Sequence, residues 1–357
     1  MSVKNLVRIG VLLVAAFWVM AAPAASQVLA PARENGKWGY VNGKGEWVIS
    51  PQFDYADMFS EGLARATKNN RWGFINVKGK VAVQPIFDNA LPFSDSLAPV
   101  RQGLSWGYIH PDGSYAIQPQ YEEARCFVNG LARVKKYGKW GFIDRTGREI
   151  IKCLYEEAWW FSGGLAPVKL DNKYGYIGLE GNLVIPAKYD FAGPFWDGVA
   201  VVRKAGKVGA INRRGQQVLP IDFQFVSANR ENRMIAESGS YQLLYTSAGK
   251  RVYRIRATWV SSFYEGMAGI LRGGKYGFIN LSGQMLIKPK FLKTGVFSQG
   301  LCWAEVRKRN QEGLYEPRVG FIDRSGNFKI EPRFEAAGAF HEVSQKEHLA
   351  WNWSLYF

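Results

Sequence analysis

Five acids, Asp54, Asp88, Glu122, Glu156 and Asp190, follow one another every 34 residues, and Glu335 holds the corresponding place near the chain's end. Such a row could serve paired-carboxylate hydrolysis of glycosidic bonds, which needs two groups about 5 to 10 Å apart. Nothing in the surrounding residues selects two of them. Each follows an aromatic and stands two residues before a small one, a setting in which a carboxylate accepts backbone N–H bonds and caps a turn. The remaining chemical inventory is thin. His110, His341 and His348 lack metal-ligand spacing, and neither a nucleophile elbow nor a phosphate-binding Gly loop is present. The expectation is therefore no catalytic residue, no metal and no cofactor. The alternative is a glycan-active hydrolase with carboxylates at a channel mouth.

Residues suited to binding stand elsewhere. Trp159, Trp160 and Trp196 fall in one connecting segment of two adjacent copies of a repeated unit, so stacking of the copies brings them to one rim. Indole faces there suit a glycan or a peptide. Arg307, Lys308, Arg309 and Arg318 lie in a stretch nine residues longer than the period, which predicts a protruding basic loop. Arginine forks pair bidentately with carboxylate or phosphate.

The elements that must position these residues come from the repeat. A Trp-Gly pair or its relic recurs at Trp38, Trp72, Trp106, Trp140, Tyr174 and Val208 in steps of 34, then at Tyr241, Tyr276 and Val319 in steps of 33, 35 and 43. Helix pairs can also repeat at 34. Here, however, each unit carries Gly one and about seven residues after the ring, usually another at 24, and commonly Pro at 12 or 13. Inside a helix Gly costs about 1 kcal/mol and Pro about 3 kcal/mol, so short strands separated by turns fit instead.

Within a unit, "GLARV" (residues 130 to 134) and "WGFID" (140 to 144) read as two strands. A tight hairpin follows, with Asn or Asp four residues after the ring and Gly at seven, as at Asn42 and Gly45. The third strand is expected to stop at Pro51, Pro85, Pro119, Pro289 or Pro332, because proline donates no ladder bond. A fourth short strand or an irregular crossing comes next. Three or four strands cannot bury their apolar face alone, so neighbouring units must stack, and the ring at position zero becomes core.

This pattern resembles the WG repeat family of bacterial tandem arrays, "KWGYID…G…VIPPKYD…A…F…GLA.V", over residues 28 to about 350. The resemblance implies β-rich repeats in exported or envelope-associated proteins and an interaction role, and it supplies no catalytic residues. Departures fall in the seventh unit, "SYQLLYTSAGK" (240 to 250), and at Cys153, which replaces Pro. The fold class is all-β, with about nine repeats in one domain over residues 25–357. The array forms either a β-propeller-like ring or an open β-solenoid, which would need capped ends. The final strand copy, "HLAWNWSLYF" (348 to 357), is too apolar for a cap, which favours closure onto the N-terminus.

Residues 1–24 read as a signal peptide: Lys4 and Arg8 precede an apolar run from Val11 to Ala22, and Ala22 and Ala24 make a cleavage site. The mature chain of about 333 residues has no stretch of about 18 apolar residues, so no transmembrane span is expected. Localisation is periplasmic or extracellular. Cys126, Cys153 and Cys302 are no disulfide framework, and at most one pair can join. The formal charge of +16 falls to about +14 without Lys4 and Arg8 and favours acidic partners. A protein, an envelope glycan or an anionic polymer is expected, rather than nucleic acid.

Overall fold

The computed structural model describes residues 27–239, 241–310 and 312–343. It is all-β, with nine antiparallel sheets arranged as the blades of a closed propeller. Blade 2 shows the plan: an inner strand Tyr55–Ala56, then Leu63–Lys68, Arg71–Asn76 and an outer strand Val81–Phe87. The inner strand has only two ladder residues, and one isolated bridge, Ser60 to Leu63, extends it. That economy lets 34 residues hold four strands.

Blade 1 closes the ring. Its Val28–Glu34, Lys37–Val41 and Trp47–Phe53 come from the start of the domain. Ala336–Ala337 and His341–Glu342 return from the other end and pair with the first of these. Across the seam Phe321, Ile330, Phe334 and Phe340 share one core cluster with Ala30, Ala32 and Val41. The open solenoid is thereby excluded. Residues 348 to 357, the strand copy expected to close the array, lie outside the described residues.

The packing between blades is aromatic. The ring two residues after position zero meets the inner-strand Phe of the next blade: Tyr40 with Phe59 at 4.7 Å between centroids, Tyr108 with Phe127 at 4.9 Å and Phe278 with Phe297 at 4.9 Å. All six are fully buried. Such pairs add about 0.5–1.5 kcal/mol each beyond the area they bury. Position zero itself lies shallower: Trp106 and Trp140 are buried, whereas Trp38 and Trp72 are half-buried.

The Gly after position zero has a sharper reason than an open face for a ring. A Cβ on Gly39 would stand 2.4 Å from the Ile49 carbonyl oxygen, and one on Gly107 2.5 Å from that of Ile117. The outer strand crosses tightly there because its register jumps: Trp38 faces Phe53 and Tyr40 faces Ile49, so three residues of one strand span five of the other. Pro51 sits inside that bulge. Contrary to expectation, the strand runs through the proline, since a bulged residue owes the ladder no N–H. The turns behave as read: Asn42 Oδ1 accepts the N–H of Lys44 at 2.9 Å and of Glu46 at 3.1 Å, and Gly45 has φ of 81°.

Two units differ from the reading. In blade 7 the pairing of Glu237 with Gln242, equivalent to Arg203 with Val208, puts Gln242 at position zero rather than Tyr241. The steps are then 34 throughout from Trp38 to Tyr276. Leu243 replaces the Gly, and the outer strand, Arg251–Ile255, loses the bulge. In blade 9 the surplus residues form no irregular loop. They lengthen a hairpin, Cys302–Arg309 against Tyr315–Ile322, because β-pairing satisfies their backbone groups.

Candidate binding site on the inner wall

The regularly spaced acids are structural. Asp88 Oδ2 accepts the N–H of Gly103 at 2.7 Å, Asp190 Oδ2 that of Ala205 at 2.7 Å, and Glu122 that of Gly138 at 3.1 Å. Asp88 and Asp190 turn their second oxygens to cations, as in Lys173 to Asp190 at 2.5 Å. That contact, ahead of the backbone bond, holds the Asp190 carboxyl below its ordinary range. A further set of acids, seven residues later in several units, links blades on the opposite face: Glu61 accepts from Asp95 and Ser96, Asp95 from Gly130, and Glu265 from Gln299 and Gly300.

The inner strands also carry a column of serines. Ser60, Ser94, Ser162 and Ser298 each donate a hydroxyl to a Phe carbonyl of the following blade, as in Ser94 to Phe127 at 2.6 Å. Blades 6, 7 and 8 put Trp196, Arg230 and Tyr264 in that column. The Arg230 guanidinium lies 3.7 Å over the Trp196 ring and 5.8 Å from that of Tyr264. Burial pulls the Arg230 pKa below its ordinary value.

The predicted tryptophans do converge. Trp159 and Trp160 of blade 5 are 5.6 Å apart, and Trp160 is 6.4 Å from Trp196 of blade 6. The Arg133 guanidinium of blade 4 lies 5.6 Å from Trp159 and 5.7 Å from Trp160. A partly buried run of rings and guanidinium groups therefore crosses blades 4 to 8. Rings offer an apolar face to a saccharide or peptide, and guanidinium forks offer donors to hydroxyl or carboxylate groups.

The basic residues do not join this run, because they belong to blade 9. Arg307 and Arg309 alternate along their strand with Lys308, so the three do not share a face. Lys308 donates to the Pro332 carbonyl at 3.0 Å, and Arg318 pairs with Glu316 at 2.5 Å. The geometry shows no single anion cradle there. Cys126, Cys153 and Cys302 form no disulfide. Burial pushes the Cys153 thiol up to about 11. His341 is buried in the closing pair, and His348 lies outside the described residues. Among the described residues no group of three or more His, Cys, Asp or Glu side chains converges as a metal site would need.

Sequence reading passes over Arg230 and Tyr264, although a signal exists: three successive units break the serine column. A cavity of 320 Å³ at the ring's seam, touching Pro31, Trp38, Tyr55 and Trp303 beside Gly295 and Gly338, has none. The glycines beside it do not mark it, since the same place is also glycine in blade 6, at Gly193. A second cavity, of 470 Å³, lies beside Gln242 and Arg256 in the aberrant blade 7. Among the described residues no helix is long and apolar enough to cross a membrane.

No curated protein matches the chain. Among solved structures it resembles a eukaryotic initiation factor, with a TM-score of 0.65 at 9% identity over 90% of this chain and 100% of that one. AztD from Citrobacter koseri (TM-score 0.45, 9% identity, 90% of this chain and 99% of that one) also matches. So does Hsv2 from Kluyveromyces lactis (0.39, 10%, 64% and 96%). At such identities the likeness is one of fold alone. The model of the WG containing repeat matches residues 38–72, 72–103, 106–140, 140–174, 174–207, 276–310 and 320–342, more than half of the chain. The chain therefore belongs to the WG containing repeat family.

Proposed function

We propose that this protein is an exported, non-catalytic scaffold that binds an envelope glycan on its inner wall. One observation carries the reading: the continuous run of Trp159, Trp160, Trp196, Arg230 and Tyr264 across four successive blades, where most other blades carry smaller side chains. Side chains common to every blade are spent on packing; these five exceptions are spent on the wall. The turn acids support a binder over a hydrolase, since they are engaged with backbone N–H groups and cations. Export rests on the charged and apolar N-terminal pattern of residues 1–24.

The test is an array of envelope glycans and wall polymers probed with the mature chain and its Trp160→Ala, Trp196→Ala double variant. Loss of stacking at about 1–3 kcal/mol per ring predicts retention falling at least on the order of tenfold. Equal retention by parent and variant would remove the inner-wall aromatics from the account. Arg307→Ala with Arg309→Ala, on the blade 9 hairpin, should leave retention unchanged.

A further inference from the structure

Blades 2 and 4 each place an arginine at the same point of the second strand, seven residues before position zero: Arg65 and Arg133. The other seven blades carry no charge there. The two arginines share one backbone setting. Asp57 N–H donates to the Arg65 carbonyl at 3.1 Å, and Arg125 N–H donates to that of Arg133 at 3.1 Å. Arg65 Nη1 donates to the Ala90 carbonyl of the next blade at 2.8 Å, and Arg133 Nη1 donates to the equivalent Ala158 carbonyl. Each guanidinium lies beside the indole at position zero, 5.0 Å from Trp72 and 5.5 Å from Trp140.

The counter-ion is what differs. In blade 2 Asp57 Oδ2 accepts both Arg65 Nε at 2.7 Å and Nη2 at 2.6 Å, a buried ion pair made through one carboxylate oxygen. Blade 4 has Arg125 where Asp57 stands. Arg125 turns to Glu123 at 2.9 Å, which also faces Lys135 at 3.5 Å, and its buried Nε meets no hydrogen-bond partner among the described residues. Arg133 makes no ion pair among the described residues. Its neighbours are the indoles of Trp140, Trp159 and Trp160, at 5.5, 5.6 and 5.7 Å, which attract a cation but accept no conventional hydrogen bond. Burial first, and then the Arg125 charge, pull the Arg133 guanidinium down to about 9, so it is still charged at neutral pH. Three cations against one carboxylate leave the wall positive by two. An uncompensated charge sunk among side chains is destabilising unless an anion joins it.

We propose that Arg125 and Arg133 form a carboxylate subsite, in which an acidic saccharide seated along Trp159, Trp160 and Trp196 places its carboxylate where Asp57 stands beside Arg65. This assignment rests on the glycan reading above and names the class of glycan. Arg133 Nε and Nη2 present the fork that blade 2 fills from within the chain. A neutral sugar leaves that fork unmet, which is the kind of difference that gives selectivity.

The experiment compares a galacturonate trimer with its methyl ester, binding to the mature protein at low salt by calorimetry. The parent should prefer the acid on the order of tenfold, since a hydrogen bond to a charged group is worth about 1.5–3 kcal/mol. Arg125→Asp rebuilds the blade 2 pair, so the acid preference should vanish while the ester still binds. Arg125→Gln, which adds no charge, should weaken the preference and guards against a folding defect in the first variant. Equal binding of acid and ester by the parent, or a preference that survives Arg125→Asp, would overturn the subsite and leave the aromatic wall standing. Binding of neither trimer would overturn the glycan reading together with the subsite.

Discussion

The glycine that gives each unit its signature makes the most exacting prediction. An alanine methyl at Gly39 would sit 2.4 Å from the Ile49 oxygen, 2.7 Å from Pro51 N and 2.8 Å from the Ser50 carbonyl carbon, all backbone atoms. No flexible side chain can swing aside. Overpacking a core usually costs about 1–3 kcal/mol, and a clash with main chain belongs at the top of that range, about 3 kcal/mol. At about 2.1 cal/mol/K per residue of unfolding entropy, a chain of about 330 residues should lose about 4 °C in thermal midpoint. Gly43, four residues on in the same blade, is the control: a Cβ there would meet nothing within 4 Å, and its φ is not positive. Gly43→Ala should leave the midpoint within about 1 °C of the parent. Calorimetric melting of both variants decides the matter. A Gly39→Ala midpoint indistinguishable from that of Gly43→Ala would refute the steric account of the Trp-Gly pair. The molecule contains its own precedent, since blade 7 carries Leu243 in place of that glycine and has no bulge beneath it.

Ring closure and the turn carboxylates make two more predictions. Ala32 and Ala337 are direct partners across the seam, a spacing that a disulfide can bridge. Ala32→Cys with Ala337→Cys should therefore oxidise to an intramolecular bond and stabilise by about 5 kcal/mol for so long a loop; free thiols at both sites after oxidation would speak against closure. The carboxyls of Asp54, Asp144, Asp190 and Asp323 are held below their ordinary range, chiefly by side-chain bonds from Lys37, Thr146, Lys173 and Ser325 respectively. Their folded pKa values lie below the unfolded value of about 3.9. The stability they add is present above that pH and is lost as pH falls through the folded values. The melting midpoint should drop below about pH 4, and less steeply in Asp54→Asn with Asp190→Asn; a slope unchanged by that pair would contradict the capping role.

What is legible in the chain is whatever every unit repeats. The period, the Asn and Gly turns, the capping acids and the burial of large rings all follow from residues whose local requirements do not depend on their neighbours. The misreadings have the opposite character. Tyr241 reads as position zero because it is aromatic, but strand register is set by which residues face each other, and that puts Gln242 there. Pro51 looks like a strand end because a bulge leaves no mark in one strand alone. Arg125 and Arg133 draw no attention in the sequence at all, since only the comparison with Asp57 and Arg65 in blade 2 shows that an arginine stands where the other blade has a carboxylate.

The tryptophan at 196 shows why the inner wall is a specified feature rather than a worn copy of the repeat. A serine in its column would donate to the next blade, as Ser162 does to the Phe195 carbonyl. An indole at that place leaves the link to be made some other way. Blade 7 supplies it in reverse: Asn229, standing where eight other blades have Phe, donates its Nδ2 to the Trp196 carbonyl at 3.1 Å. The exchange is unfavourable by itself. It removes a ring from the aromatic packing and leaves Asn229 Oδ1 buried without a hydrogen-bond partner among the described residues, at about 1–3 kcal/mol. The aberrant hairpin of blade 7 shows no such repair of its lost bulge. A compensated defect beside Trp196 and Arg230 fits a wall whose side chains are held in place for a ligand, since departures from a fold's own packing rules concentrate where function requires them.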